Sequence, residues 1–215
     1  MAQTSSESSR RRWDHHPVTA SAILLFYIAT RMIWPGWIDR LGDYASYIFE
    51  GVFAAVVMLF YRKQWHGRFI PREALRNGAW GLAGGAALIA VVRLAHIWVP
   101  FAFRDLETIL GLLLIGPLLE EALFRQALFW PARALFARPV LVIVFSALMF
   151  SAGHLYGILS LPAEYRPFVI FQAGYTFLLG IWWGHLELRT RSYWATVAPH
   201  FGLNLGFLLA GLLLT

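Results

Sequence analysis

The sequence predicts an all-α polytopic membrane bundle of about seven transmembrane helices, and three observations predict it. Hydrophobic residues make up 59% of the 215 residues and charged residues only 14%, at a mean hydropathy of +0.58. A soluble domain carries roughly 25% charge, so this chain is too apolar to cover a water-facing surface. The apolar residues fall in seven runs, several close to the roughly 20 residues that a helix needs to cross the hydrocarbon core. The basic residues gather in alternate loops between those runs.

Taken in order, residues 1–17 (MAQTSSESSRRRWDHHP) are polar and expected as a cytoplasmic tail. Arg10, Arg11 and Arg12 ahead of the apolar Val18–Ala29 resemble the start of a signal peptide, or a twin-arginine leader. No small-residue cleavage site of the Ala-x-Ala kind follows, so an uncleaved first span is expected. The spans are Val18–Trp34, Tyr44–Phe60, Leu75–Val99, Ile109–Trp130, Pro139–Leu155, Phe168–Leu186 and Tyr193–Leu214. The fifth is short; it should begin earlier, near Leu135, or cross without tilt.

The loops support the count. Arg10, Arg11, Arg12, Arg62, Lys63, Arg68, Arg72, Arg76, Arg133, Arg138, Arg189 and Arg191 lie on one side, twelve of the 18 basic residues. The opposite loops mix Arg40, Arg104 and Arg166 with Asp39, Asp43, Asp105, Glu107 and Glu164. An odd number of spans produces this alternation, and the positive-inside rule puts the N-terminus in the cytoplasm and the C-terminus outside. Trp13, Trp34, Trp98, Trp130 and Trp194 near span ends fit interfacial anchors. The net charge of +6 therefore sets topology and is no sign of nucleic acid. The absence of cysteine excludes disulfides, Cys-ligated metals and a thiol nucleophile.

Polar groups inside spans carry the functional signal, because an ionisable residue at mid-membrane costs about 2.5–3.5 kcal/mol or more. The fourth span holds Glu120 and Glu121, with Arg125 four residues after Glu121 on the same face. Glu120 points about 100° away, so one carboxylate can pair with the arginine while the other faces a different wall. Gly116 and Pro117 lie one turn earlier, where proline removes a backbone hydrogen bond and kinks the helix. The fifth span ends with Phe150 and His154 at i, i+4; the seventh opens with His200 and Asn204 at i, i+4. Together these offer a carboxylate and imidazoles to activate a water, and donors for an oxyanion. Helix rise puts His200, Glu120 and His154 at depths of about 10, 15 and 22 Å. Tilt, the proline and an irregular end near Gly153 are needed to bring them together.

Each residue has a plainer reading. Glu121 and Arg125 can be a structural ion pair, Glu120 a structural polar contact, either histidine a satisfied hydrogen-bonding group, and Asn204 inter-helix glue. Arg93 reads as a snorkelling side chain or as the partner of a loop acid; His96, His185 and Glu187 read as interfacial. Gly81–Gly85 and Gly180–Gly184 have small-xxx-small spacing and permit close helix approach. A zinc protease using Glu120, His154 and His200 is a second enzyme reading, although no His-Glu-x-x-His supports it. A non-catalytic membrane protein, such as an immunity factor, scaffold or proton-coupled carrier, is a third.

The joint pattern resembles the CPBP (CAAX protease and bacteriocin-processing, or Abi) family of glutamic intramembrane proteases. Its motifs Glu-Glu-x-x-x-Arg, Phe-x-x-x-His and His-x-x-x-Asn stand here as Glu120–Arg125, Phe150–His154 and His200–Asn204. The approach to the third is similar too: Gly180-x-x-x-Gly184, a Leu188-Arg189-Thr190 turn, then Ser192-x-Trp194-Ala195. The resemblance covers 105–215; the spans within 18–104 carry none. It implies a four-helix catalytic core in which Glu120 and His154 activate the water and His200 and Asn204 bind the oxyanion. Glu121, a further member of the catalytic set, Arg125 and Phe150 would shape the site. It implies a membrane-anchored protein or peptide substrate, no required cofactor, and a place in a bacterial inner membrane. Nothing in the residues points to a prenylated substrate.

Overall fold

The computed structural model describes residues 17–33, 37–38, 40–42, 44–62 and 69–213. The polar tail with Arg10, Arg11, Arg12 and Trp13 lies outside the described residues, as do Trp34, Asp39, Asp43, Lys63 and Arg68. Among the described residues every regular element is helical. All seven apolar runs form helices: α1 Pro17–Ile28, continuing as a π-helix over Ala29–Ile33; α2 Ala45–Phe60; α3 Pro71–Leu94; the composite α4 over 106–127 with α5 Phe129–Leu135; α6 Pro139–Leu155 with the short α7 Gly157–Ser160; α8 Arg166–Thr190; and α9 Tyr193–Leu213. On length and composition three are long and apolar enough to cross a membrane: Pro71–Leu94, Pro139–Ser160 and Tyr193–Leu213. Large apolar side chains stand outward around the bundle, such as Leu25, Ile48, Leu59, Leu75, Leu114, Ile170 and Leu178. This is the surface that lipid requires.

Helix starts follow from local chemistry. Pro71, Pro139 and Pro167 sit in first turns, where a missing N–H costs nothing. Asp105 caps α4 by accepting from the Thr108 amide at 2.9 Å. The fifth span does not begin near Leu135: Phe136 and Arg138 are extended, and the span lengthens at its other end through α7. Its irregularity falls at Tyr156, between α6 and α7, with Gly153 helical. The turn after α8 is Arg191, left-handed at φ 48°, while Leu188, Arg189 and Thr190 stay in the helix. Trp130 is no interfacial anchor: it is buried, and its indole donates to Gln126 Oε1 at 3.3 Å. Glu187, expected at an interface, is fully buried.

Two tight helix pairs set the architecture: α3 against α9 and α6 against α8. Glycines explain the first. A Cβ added at Gly81 would fall onto the Pro199 carbonyl oxygen, at Gly85 onto that of Leu203, at Gly202 onto that of Gly78, and at Gly206 onto that of Leu82. The two backbones therefore touch, which only residues without side chains allow. In the second pair a Cβ on Gly180 would sit 2.8 Å from Ala147 Cα. These contacts fix the helices that carry His154, His200 and Asn204. An aromatic core from α1, α2, α4, α5, α6 and α8 fills one half of the bundle; Phe101, Phe103, Phe168 and Phe207 fill the other.

Candidate active site

The composite helix α4 explains how the carboxylates are presented. It alternates α-helical Leu106–Leu110, π-helical Gly111–Ile115, α-helical Gly116–Glu121 and π-helical Ala122–Ala127. The first π turn sits directly before Pro117. Its closing amide, Gly116, donates to Gly111 rather than to Leu112. The next residue is Pro117, which has no N–H. The Leu112 carbonyl thus loses its α-type donor to the π turn and its π-type donor to proline. Asn204 supplies the replacement: its Nδ2 donates to the Leu112 oxygen at 2.7 Å. The second π turn does likewise. Leu128 N–H goes to Leu123 at 2.9 Å, and Ser146 Oγ donates to the Phe124 carbonyl at 2.8 Å. Pro117 therefore shifts the helix register beside the glutamates. Such π insertions concentrate at functional sites.

The two adjacent glutamates have different surroundings. Glu121 is fully buried and bridges two partners: its Oε1 lies 3.0 Å from Nδ1 of His200, and its Oε2 lies 3.4 Å from Nε of Arg125. Arg125, also fully buried, donates from Nη1 to Ser146 Oγ at 3.1 Å. Its guanidinium lies 5.0 Å from the Phe150 ring centre and 5.8 Å from that of Trp183, cation–π distances. Trp183 stacks on His200 with centroids 4.5 Å apart and planes 26° off parallel. Phe150 meets both imidazoles edge-on, His154 at 4.9 Å and His200 at 5.9 Å. The Phe150 ring thus spans the gap between the two histidines.

Glu120 faces open space. Together with Tyr47, Phe150 and His154 it borders two cavities, of about 690 and 560 Å³. The smaller is also lined by Trp183, His200 and Asn204. The larger is completed by α1 and α2 through Tyr27, Arg31, Ser46 and Glu50. Arg31 donates to Glu50 Oε1 and Ser46 Oγ, each at 3.0 Å. Glu120 Oε2 lies 3.7 Å from His200 Nε2. His154 Nδ1 donates to the Phe150 carbonyl at 2.9 Å.

Of the residues singled out from sequence, Glu120, His154, His200 and Asn204 border one cavity, while Glu121 and Arg125 stand behind His200. Sequence reasoning missed Trp183, Ser146, Arg31, Glu50 and Tyr193, whose hydroxyl donates to the Leu118 carbonyl at 2.7 Å. Only a carboxylate and an arginine in two neighbouring spans, Glu50 and Arg31, gave any signal. The zinc reading needs Glu120, His154 and His200 to converge on one ion. Among the described residues no three His, Asp or Glu groups are arranged to hold a metal ion. His200 Nδ1 faces Glu121 and His154 Nδ1 a carbonyl, which leaves Nε2 of each ring directed elsewhere.

A helical membrane bundle with a carboxylate and two imidazoles around an internal cavity defines the class: a membrane protein equipped for hydrolysis. Residues 102–206 match the family model described as type II CAAX prenyl endopeptidase Rce1-like. The match places this segment, just under half of the chain, in the CAAX-protease (CPBP) family, a family of peptidases. No curated protein and no solved structure matches it.

Proposed function

We propose that the chain is a glutamic-type intramembrane endopeptidase. It hydrolyses a peptide bond of a membrane-associated protein or peptide with a water activated by Glu120 and His154. One observation carries the reading: among the described residues, Glu120 is the carboxylate in the wall common to both cavities, and His154 is the imidazole there. A peptide needs room on both sides of the bond it offers, and the two cavities provide it.

The Phe150 carbonyl only accepts, so His154 carries its proton on Nδ1 and keeps a lone pair on Nε2. That nitrogen and the Glu120 carboxylate together can hold a water. Glu120 takes a proton from the water as its oxygen bonds to the substrate carbonyl carbon. The amine nitrogen then takes that proton from Glu120 as the C–N bond breaks. Asn204 has a second N–H beyond the one given to Leu112, and it serves the developing oxyanion. Donation from His200 Nε2 uses the doubly protonated ring, a cation matched by Glu121 at Nδ1.

The description of the matched family suggests a prenylated C-terminal CAAX sequence as the first substrate to assay. The basic loops favour a cytoplasmic N-terminus in a bacterial inner membrane. The test is cleavage by purified Glu120→Gln protein, with wild type assayed before and after chelation. Loss in the variant and indifference to chelator are expected. Full activity of the variant overturns the role of Glu120. Activity lost to chelator and restored by zinc replaces the mechanism with a metal one.

A further inference from the structure

A second site lies away from the proposed active site, at the end of the bundle that carries the basic loops. A cavity of about 380 Å³ opens there between α3 and α8, lined by Arg76, Asn77, Trp80, Trp182, His185 and Arg189 among others. We infer that it binds the headgroup phosphate of an anionic phospholipid whose acyl chains lie along the outer faces of α3 and α8.

The charges favour an anion. Glu73 Oε2 accepts from Arg76 Nη2 at 2.5 Å, Arg189 Nη2 at 2.9 Å and Asn77 Nδ2 at 3.3 Å. Two guanidiniums against one carboxylate leave one net positive charge, with His185 beside it. The carboxylate oxygen facing this cluster already accepts three donors, so the site suits a headgroup that brings negative charge and no cation. Both arginine side chains remain about half exposed, at 50% and 47%, with donors left over.

The surroundings favour a lipid over a soluble anion. α3 packs on α9 and α8 on α6, and the Arg189–Glu73 bridge spans the opening between α3 and α8. Trp80 lies four residues, about 6 Å, farther into its helix than Arg76; Trp182 lies seven residues, about 10 Å, from Arg189. Indoles deeper along the helices than the two arginines match the layering of a membrane interface. Trp80, which lines the cavity, is 66% exposed, an apolar surface open to an acyl chain.

The test is native mass spectrometry of the delipidated full chain, titrated with phosphatidylglycerol, phosphatidylcholine or inorganic phosphate. Phosphatidylglycerol should bind at least about fivefold more tightly than phosphatidylcholine, and Arg76→Gln or Arg189→Gln should each weaken it about fivefold. Glu73→Gln, which keeps both cations and removes their counter-charge, should strengthen it. That variant carries the test if the arginine variants fail to fold. Equal binding of the two lipids, displacement by inorganic phosphate, or no strengthening in Glu73→Gln each overturns the inference.

Discussion

Glu120 and Glu121 are chain neighbours with different work. Glu121 is enclosed by Arg125 and His200, and a buried ion pair that loses one member leaves an uncompensated charge costing about 3–5 kcal/mol. Arg125→Leu should therefore unfold at clearly lower temperature than wild type by thermal melt in detergent, whereas Glu120→Gln should melt close to wild type. Trp183 acts through His200, whose ring it stacks. Trp183→Leu should lower kcat about tenfold with KM little changed, since such ring pairs are worth about 0.5–1.5 kcal/mol. Trp183→Phe, which keeps an aromatic face, should recover most of the rate. A purely structural tryptophan would move stability and leave that rescue pattern absent. At this scale the sequence was informative wherever a charge or imidazole stood in an apolar run, because such residues are costly there. Trp183 was illegible for the opposite reason: an indole in a membrane helix is ordinary. Glu187 reads as interfacial because it lies near a span end, whereas the fold closes over it.

Among elements, the α4 composite and the α3–α9 pair matter most. Pro117→Ala restores an N–H next to a π turn that leaves the Leu112 carbonyl to Asn204. The variant should be at least as stable by thermal melt, because alanine favours helix, yet cleave more slowly because the register carrying Glu120 can relax. Unchanged cleavage would mean that the π turn does not set the presentation of Glu120. Gly85→Leu, on the helix that buttresses α9, should abolish both folding yield and activity, since its side chain would collide with the Leu203 backbone. Gel-filtration yield reads this directly. The seven apolar runs located the helices closely because span length is dictated by the bilayer. Spacing of apolar residues could not reveal the π turns, since one inserted residue leaves composition unchanged; the Gly116-Pro117 pair marked only that the helix is perturbed there. Likewise Gly81 and Gly85 signalled a close approach without naming α9 as the partner.

For the whole molecule, the proposed site is shared between the family-matched segment and the spans before it. Residues 102–206 supply the glutamates, the imidazoles and Asn204, while α1 and α2 complete the larger cavity with the Arg31–Glu50 pair. The motifs pointed to the first contribution. The second needed coordinates, because no local pattern says which face of an apolar helix looks inward. The most direct measurement is the cleavage rate of wild type and Glu120→Gln in proteoliposomes, at matched melting temperature, against a membrane-anchored peptide that the wild type cuts. The account predicts a fall of at least about 100-fold in the variant. A variant that cuts as fast as wild type would show that the water is activated elsewhere.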